Sequence, residues 1–251
     1  MDLDAVIFDM DGVVTDTAKV HAAAWKQLFD SYLRARSDQT GEPFVAFDER
    51  ADYESYVDGR NRYDGVRTFL ESRGISLPEG AGDEGDPGAT GEPGEPAETT
   101  VHSLGDQKDQ YFLARVRADG VDVYGSTVKL IRALKSKGIR TGLVTASRNA
   151  DEVLAAGGVQ DLWDTKVDGV VAAELGLAGK PDPATYNEAA ARLGVDRAKA
   201  AVVEDAVSGV QAGHRGGFGL VVGVARGGQT TALRQAGADV VVEDLGELGI
   251  E

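Results

Sequence analysis

The sequence contains no cysteine, two methionines, two tryptophans and seven prolines among 251 residues. Without cysteine there are no disulfides, no thiolate nucleophile and no cysteine-bound zinc, a usage that fits a reducing compartment. No apolar run approaches the roughly eighteen residues that a membrane span requires. Met1-Asp2-Leu3-Asp4 lacks the basic start of a secretory signal, so a cytoplasmic protein is expected. Positive charge is scarce, with 26 Lys and Arg against 42 Asp and Glu and a net charge of −16. A chain this acidic repels polyphosphate backbones and anionic lipid, which argues against nucleic-acid and membrane partners. Its length suffices for a sizeable core without a metal or covalent staple. Nothing in the pattern suggests a symmetric interface, so a monomer is the default.

What is present is a rhythm of short, β-branched apolar runs. Ala5-Val6-Ile7-Phe8, Thr141-Gly142-Leu143-Val144, Ala200-Ala201-Val202-Val203, Leu220-Val221-Val222 and Asp239-Val240-Val241-Val242 lack alternation, as strands buried on both faces of a parallel sheet do. Between them lie helical patterns. Val128, Ile131 and Leu134 share a face that ends at Gly138, and Asp182-Pro183 reads as an N-cap with proline at the first helical position, opening a helix to about Leu193. Strands alternating with helices predict an α/β fold: a doubly wound, Rossmann-like parallel sheet.

Residues 17–120 break the rhythm. Val20, Ala24, Trp25, Leu28, Phe29 and Tyr32 trace one helical face, and further helices are expected over 64–73 and 106–117. We read an α-helical cap domain at 17–120, inserted into a core made of 1–16 and 121–251. Within it, residues 78–100 hold six Gly, four Pro and seven acids with no Lys, Arg or aromatic residue. Such a composition cannot offset its ordering entropy, and a solvated, mobile loop is expected.

Polar residues cluster just beyond the expected strand ends, where open parallel sheets place their sites. They are Asp9-Met10-Asp11-Gly12-Val13, Thr145, Lys180 and Glu204-Asp205. Carboxylates gathered there repel one another without a cation, and an all-oxygen set selects a hard ion, Mg²⁺. Taken singly, Asp9 reads as a strand-end turn and Lys180 as a solvated charge. The conjunction, in this order, closely resembles the haloacid dehalogenase superfamily of phosphotransferases over nearly the whole chain outside 78–100. The resemblance implies Asp9 as nucleophile and Asp11 as general acid and base. It implies Thr145, Ala146 and Lys180 around the transferring phosphoryl group, and Asp9, Asp11, Glu204 and Asp205 at the magnesium.

The resemblance narrows to β-phosphoglucomutases and their relatives through Asp9–Ala18, His21 and Trp25-Lys26. It implies substrate contacts at Thr17, His21, Trp25 and Lys108, a phosphate-binding loop at Ser147-Arg148-Asn149, and a phosphate-gripping Arg62 in Gly59-Arg60-Asn61-Arg62. Two positions depart from the pattern: Arg148 stands where Lys is frequent, and Asp109 where Asn is expected. Trp25 also fits core packing, and His21 a structural histidine. The implied activity is a mutase interconverting β-D-glucose 1-phosphate and 6-phosphate through an aspartyl phosphate, with β-glucose 1,6-bisphosphate as activator and intermediate. The alternatives are a magnesium-dependent sugar-phosphate phosphatase and a catalytically silent sugar-phosphate-binding protein.

Overall fold

A computed structural model describes residues 3–80 and 99–250. The expected loop at 78–100 therefore falls, for residues 81–98, outside the described residues. The chain divides into two compact units, Met1–Ala18 with Asp119–Glu251, and Lys19–Ala118.

The first unit opens with β1 (Ala5–Asp9), every residue of which is buried. After the helices α1 (Ala18–Thr40), α2 (Arg62–Ser72) and α3 (Val101–Asp119) come α4 (Gly125–Ser136), β2 (Arg140–Val144), α5 (Ala150–Ala156), β3 (Thr165–Val167), α6 (Gly169–Glu174) and α7 (Ala184–Leu193). β4 (Ala200–Glu204), α8 (Val207–Arg215), β5 (Leu220–Val224), α9 (Thr230–Ala236) and β6 (Val240–Val242) complete it. The six strands form one parallel sheet in the order β3-β2-β1-β4-β5-β6. The order reverses direction at β1, so the carboxyl ends of β1, β2 and β4 border the crevice where such sheets bind ligands. β3 escapes the sequence pattern because Thr165-Lys166-Val167 is short, charged and only partly buried at the sheet edge.

One boundary differs from expectation. α7 begins at Ala184 with Pro183 in the cap position, one residue later than the Asp182-Pro183 pattern predicts. Asp182 still accepts a hydrogen bond from the Ala184 N–H at 2.9 Å, so its side chain serves the helix start from one residue further out.

Asp168 caps α6. Its Oδ1 accepts the Val170 and Val171 N–H groups at 3.0 Å each, while Oδ2 pairs with Lys166 at 2.7 Å. Burial pushes this carboxyl up, but Lys166 and the two N–H groups outweigh it and hold it below its ordinary range. Asp168→Ala is expected to cost about 1 kcal/mol in urea unfolding at neutral pH. Because the folded pKa is depressed, that contribution is present above the unfolded value of 3.8 and lost as pH falls through the folded one. A deficit that persists undiminished in acid would contradict this account.

The second unit contains α1 (Ala18–Thr40), which starts one residue before it, α2 (Arg62–Ser72) and α3 (Val101–Asp119), with a π-helical turn at Tyr53–Val57. All three helices run longer than the apolar pattern indicates. Phe29 is the centre of its core, with ring centroids 4.1 Å from Phe69, 5.3 Å from Phe47 and 5.1 Å from Trp25. Phe47 lies outside any helix. It is held by its own main chain: its carbonyl accepts from Lys26 at 2.9 Å and its N–H donates to Asp30 at 2.8 Å. No helix among the described residues is long and apolar enough to cross a membrane.

Candidate active site

The sheet register brings the first unit's candidate site residues together. Asp9, the last residue of β1, lies opposite Val144, so Thr145 follows at the same level on one side. Phe8 lies opposite Val203, so Glu204 follows on the other. Lys180, from the segment before α7, reaches between them, and its ammonium bonds both Asp9 and Glu204. All three groups are buried, and Glu204 is 1% exposed.

Glu204 is held at both oxygens. Oε1 accepts Lys180 and the Tyr186 hydroxyl at 2.8 Å, and Oε2 accepts the Asp205 and Ala206 N–H groups at 3.1 Å each. The carboxylate occupies the space beside Gly209, where any Cβ would lie 1.7 Å from Oε1. Asp205 fills the space beside Gly12 in the same way, 1.8 Å from where a Cβ would stand. Gly12 has φ +78°, a left-handed conformation that glycine adopts without strain.

Asp11 is oriented differently. Its carboxylate accepts the Thr17 hydroxyl and stands 3.5 Å from that of Thr145, while Thr17 is itself 3.2 Å from the Thr15 hydroxyl. The two aspartates of the motif thus sit in unlike surroundings, one against a buried ammonium and one among hydroxyls. That division suits two separate roles.

Burial pushes the Asp9 carboxyl well above its ordinary range; Lys180 opposes the rise, and Glu204 and Asp11 add to it. Burial alone would lower the Lys180 pKa, but Asp9 and Glu204 outweigh it and keep the ammonium charged. Burial, with Glu204 beside it, also pushes the Tyr186 hydroxyl up, which keeps it a donor. Asp9, Glu204 and Asp205 each offer a ligand oxygen, all within 4.8 Å of one another. Three carboxylates against the Lys180 ammonium leave negative charge uncompensated, and an all-oxygen donor set fits a hard divalent ion such as Mg²⁺. The Asp11 side chain is not part of this set.

The expected phosphate loop follows Thr145. The Thr145 hydroxyl accepts the Ser147 N–H at 3.1 Å, and the Ser147 hydroxyl accepts the Asn149 N–H at 3.2 Å. Gly169 donates its N–H to the Ser147 carbonyl at 2.9 Å and leaves room for the Ala146 carbonyl and the Arg148 side chain.

In the second unit the predicted residues fall into two groups. His21 stacks on Phe112 at 4.1 Å, and its Nδ1 lies 2.8 Å from the buried Lys108 ammonium, which stands 5.1 Å from the Trp25 ring centroid. Trp25 is 3% exposed and belongs to this unit's core. Arg62 pairs with Asp106 and Asp109 at 3.0 Å each. The Asp109 that departs from the family pattern is therefore the partner of Arg62. Sequence reasoning missed Tyr186, Thr15 and Gly209; the available signal for Tyr186 was its place on the buried face of α7, six residues after Lys180.

Comparison with known proteins agrees with this geometry. A family model for haloacid dehalogenase-like hydrolases matches residues 3–217. A β-phosphoglucomutase of Mycobacterium bovis is 46% identical over 247 residues, covering 97% of this chain and 90% of the relative. One from Bacillus subtilis is 29% identical, covering 99% and 93%. The crystal structure of a β-phosphoglucomutase from Clostridium difficile superposes with a TM-score of 0.73 at 25% identity, covering 98% of this chain and 93% of that one. A family model over most of its length and a near full-length relative at 46% identity show that the chain belongs to the haloacid dehalogenase-like hydrolase family.

Proposed function

We propose that this chain is a β-phosphoglucomutase, interconverting β-D-glucose 1-phosphate and β-D-glucose 6-phosphate by way of a β-glucose 1,6-bisphosphate. The observation that carries the reading is the 46% identity to a mycobacterial β-phosphoglucomutase over 97% of the chain. Asp9 attacks the phosphorus of the bisphosphate, the sugar oxygen leaves, and Asp11 supplies its proton. In the return step Asp11 takes the proton from the other sugar hydroxyl as that oxygen attacks the aspartyl phosphate. The Thr17 and Thr145 hydroxyls hold the Asp11 carboxyl for both transfers. Lys180 and the N–H groups after Thr145 neutralise the phosphoryl oxygens in flight.

Asp9, Glu204, Asp205 and the Asp11 carbonyl would hold magnesium, which when bound would supply positive charge that eases the approach of a carboxylate to a phosphate dianion. Within the first unit the loop Ser147-Arg148-Asn149 binds phosphate; within the helical unit Arg62 binds phosphate, and His21 and Lys108 bind the sugar, while Trp25 packs in that unit's core.

The test supplies β-glucose 1-phosphate with Mg²⁺ and a catalytic trace of glucose 1,6-bisphosphate, and follows glucose 6-phosphate and free phosphate together. Glucose 6-phosphate without free phosphate is expected. Free phosphate outrunning it would replace the mutase by a phosphatase. The metal site has a readout of its own in equilibrium unfolding. Mg²⁺ at a hundred times its dissociation constant is expected to stabilise the chain by about 2.7 kcal/mol. Asp205→Asn should lose most of that gain; an undiminished gain would remove Asp205 from the site.

A further inference from the structure

The loop after Asp9 is gripped from outside at three successive carbonyls. Gly12 O accepts Arg226 Nε at 2.9 Å, Val13 O accepts the Thr127 hydroxyl at 2.7 Å, and Val14 O accepts the Tyr124 N–H at 3.0 Å. Of these donors only Arg226 is a charged side chain, and it comes from just past β5, far along the chain from the loop it holds. Its guanidinium carbon lies 3.4 Å from the Tyr124 ring centroid, and its Nη1 meets Asp244 at 3.2 Å. Asp244 is fixed in turn by the Ser126 hydroxyl at 2.7 Å and by the Gly246 N–H at 2.8 Å. Nη2 is buried with no hydrogen-bond partner among the described residues, a cost that a solvated surface arginine does not carry. A planar, stacked guanidinium with a rigid fork of donors holds an acceptor in a fixed direction better than a lysine can.

We propose that Arg226 is a positioning residue for phosphoryl transfer. It fixes the buried Gly12 carbonyl and thereby the orientation of Asp11, the neighbour of Gly12, and the seat of the Asp205 carboxylate beside Gly12. The inference rests on the reading that Asp9 and Asp11 carry the chemistry. It predicts an effect on kcat, because the loop's aim and not substrate contact is at stake. Displacement of a reacting group by about 1 Å costs on the order of a hundredfold in rate.

The test compares wild type with Arg226→Met and Arg226→Lys in steady-state kinetics and in hydrogen exchange of residues 9–16. For Arg226→Met, kcat is expected to fall about 10- to 100-fold with KM changed less than about threefold. Amide exchange should rise within residues 9–16 alone, and Arg226→Lys should recover part of both. Unchanged kcat overturns the proposal. So does exchange raised evenly across the chain, with KM, kcat and melting temperature moving together and no recovery by Lys. If Arg226→Met fails to fold, Asp244→Asn carries the test, releasing Nη1 while keeping the bond to Gly12; a kcat loss of about two- to fivefold is expected, and none overturns it. Should the wild type lack mutase turnover, the exchange measurement still decides for or against Arg226, so the two failures are distinguishable.

Discussion

Asp9→Asn is expected to lower turnover at least about a thousandfold while leaving the fold intact. An amide keeps the shape of the carboxylate but is no nucleophile, so no covalent phosphoryl-enzyme can form. Intact-mass measurement after mixing with glucose 1,6-bisphosphate should show the phosphorylated species in wild type alone. The fold should persist because burial already opposes the negative charge on Asp9, and Lys180 keeps Glu204 as its counter-ion. Residual turnover within about tenfold of wild type would move the nucleophile elsewhere. A chain that only senses sugar phosphates would lose no activity, having none, and would keep its binding.

Lys180→Met should be the most destabilising of the substitutions considered. Lys180 is 9% exposed and bridges Asp9 and Glu204, themselves 10% and 1% exposed. Removing the cation strands two buried carboxylates, for which about 3–5 kcal/mol is the expected loss. Burial already raises the Asp9 carboxyl and Lys180 opposes that rise, so in the variant the folded state takes up a proton more readily than the unfolded chain. Stability of the variant therefore falls as pH rises through that elevated folded pKa and recovers below it. The deficit should be largest above that folded pKa and shrink as pH falls below it. Saturating Mg²⁺ should restore part of it by replacing the lost positive charge. Urea unfolding across pH, with and without Mg²⁺, reads all three effects. A loss under about 1 kcal/mol at every pH measured would mean that the pair is compensated in another way.

The central strands were legible because burial on both faces leaves an unbroken apolar run, as Ala5-Val6-Ile7-Phe8 and Ala200-Ala201-Val202-Val203 show. Asp9, Thr145 and Glu204 were legible because each follows such a run directly. Lys180 needed more than pattern: nothing in Gly179-Lys180-Pro181 says that the side chain is buried, and only the fold brings it between two carboxylates. Tyr186 reads as one more helix residue until β4 delivers Glu204 to its hydroxyl. Phe47 was illegible for a different reason, since its place in an aromatic core depends on side chains of α1 seizing its main chain. In each case the missing information is a contact between segments distant in sequence, and local periodicity cannot encode such a contact.

β1 precedes both of its partner strands in the sequence, pairing with Arg140–Val144 on one edge and with Ala200–Val203 on the other. During synthesis its apolar side chains and both rows of main-chain hydrogen-bonding groups must wait for segments not yet translated. Pairings this remote in sequence fold slowly and expose unpaired strand edges meanwhile. A chain cut short before Ala200 would have a β1 with one open edge and no Glu204. Such a product would be inactive and prone to aggregate, so the centre of the sheet is also the point at which an unfinished chain is most vulnerable.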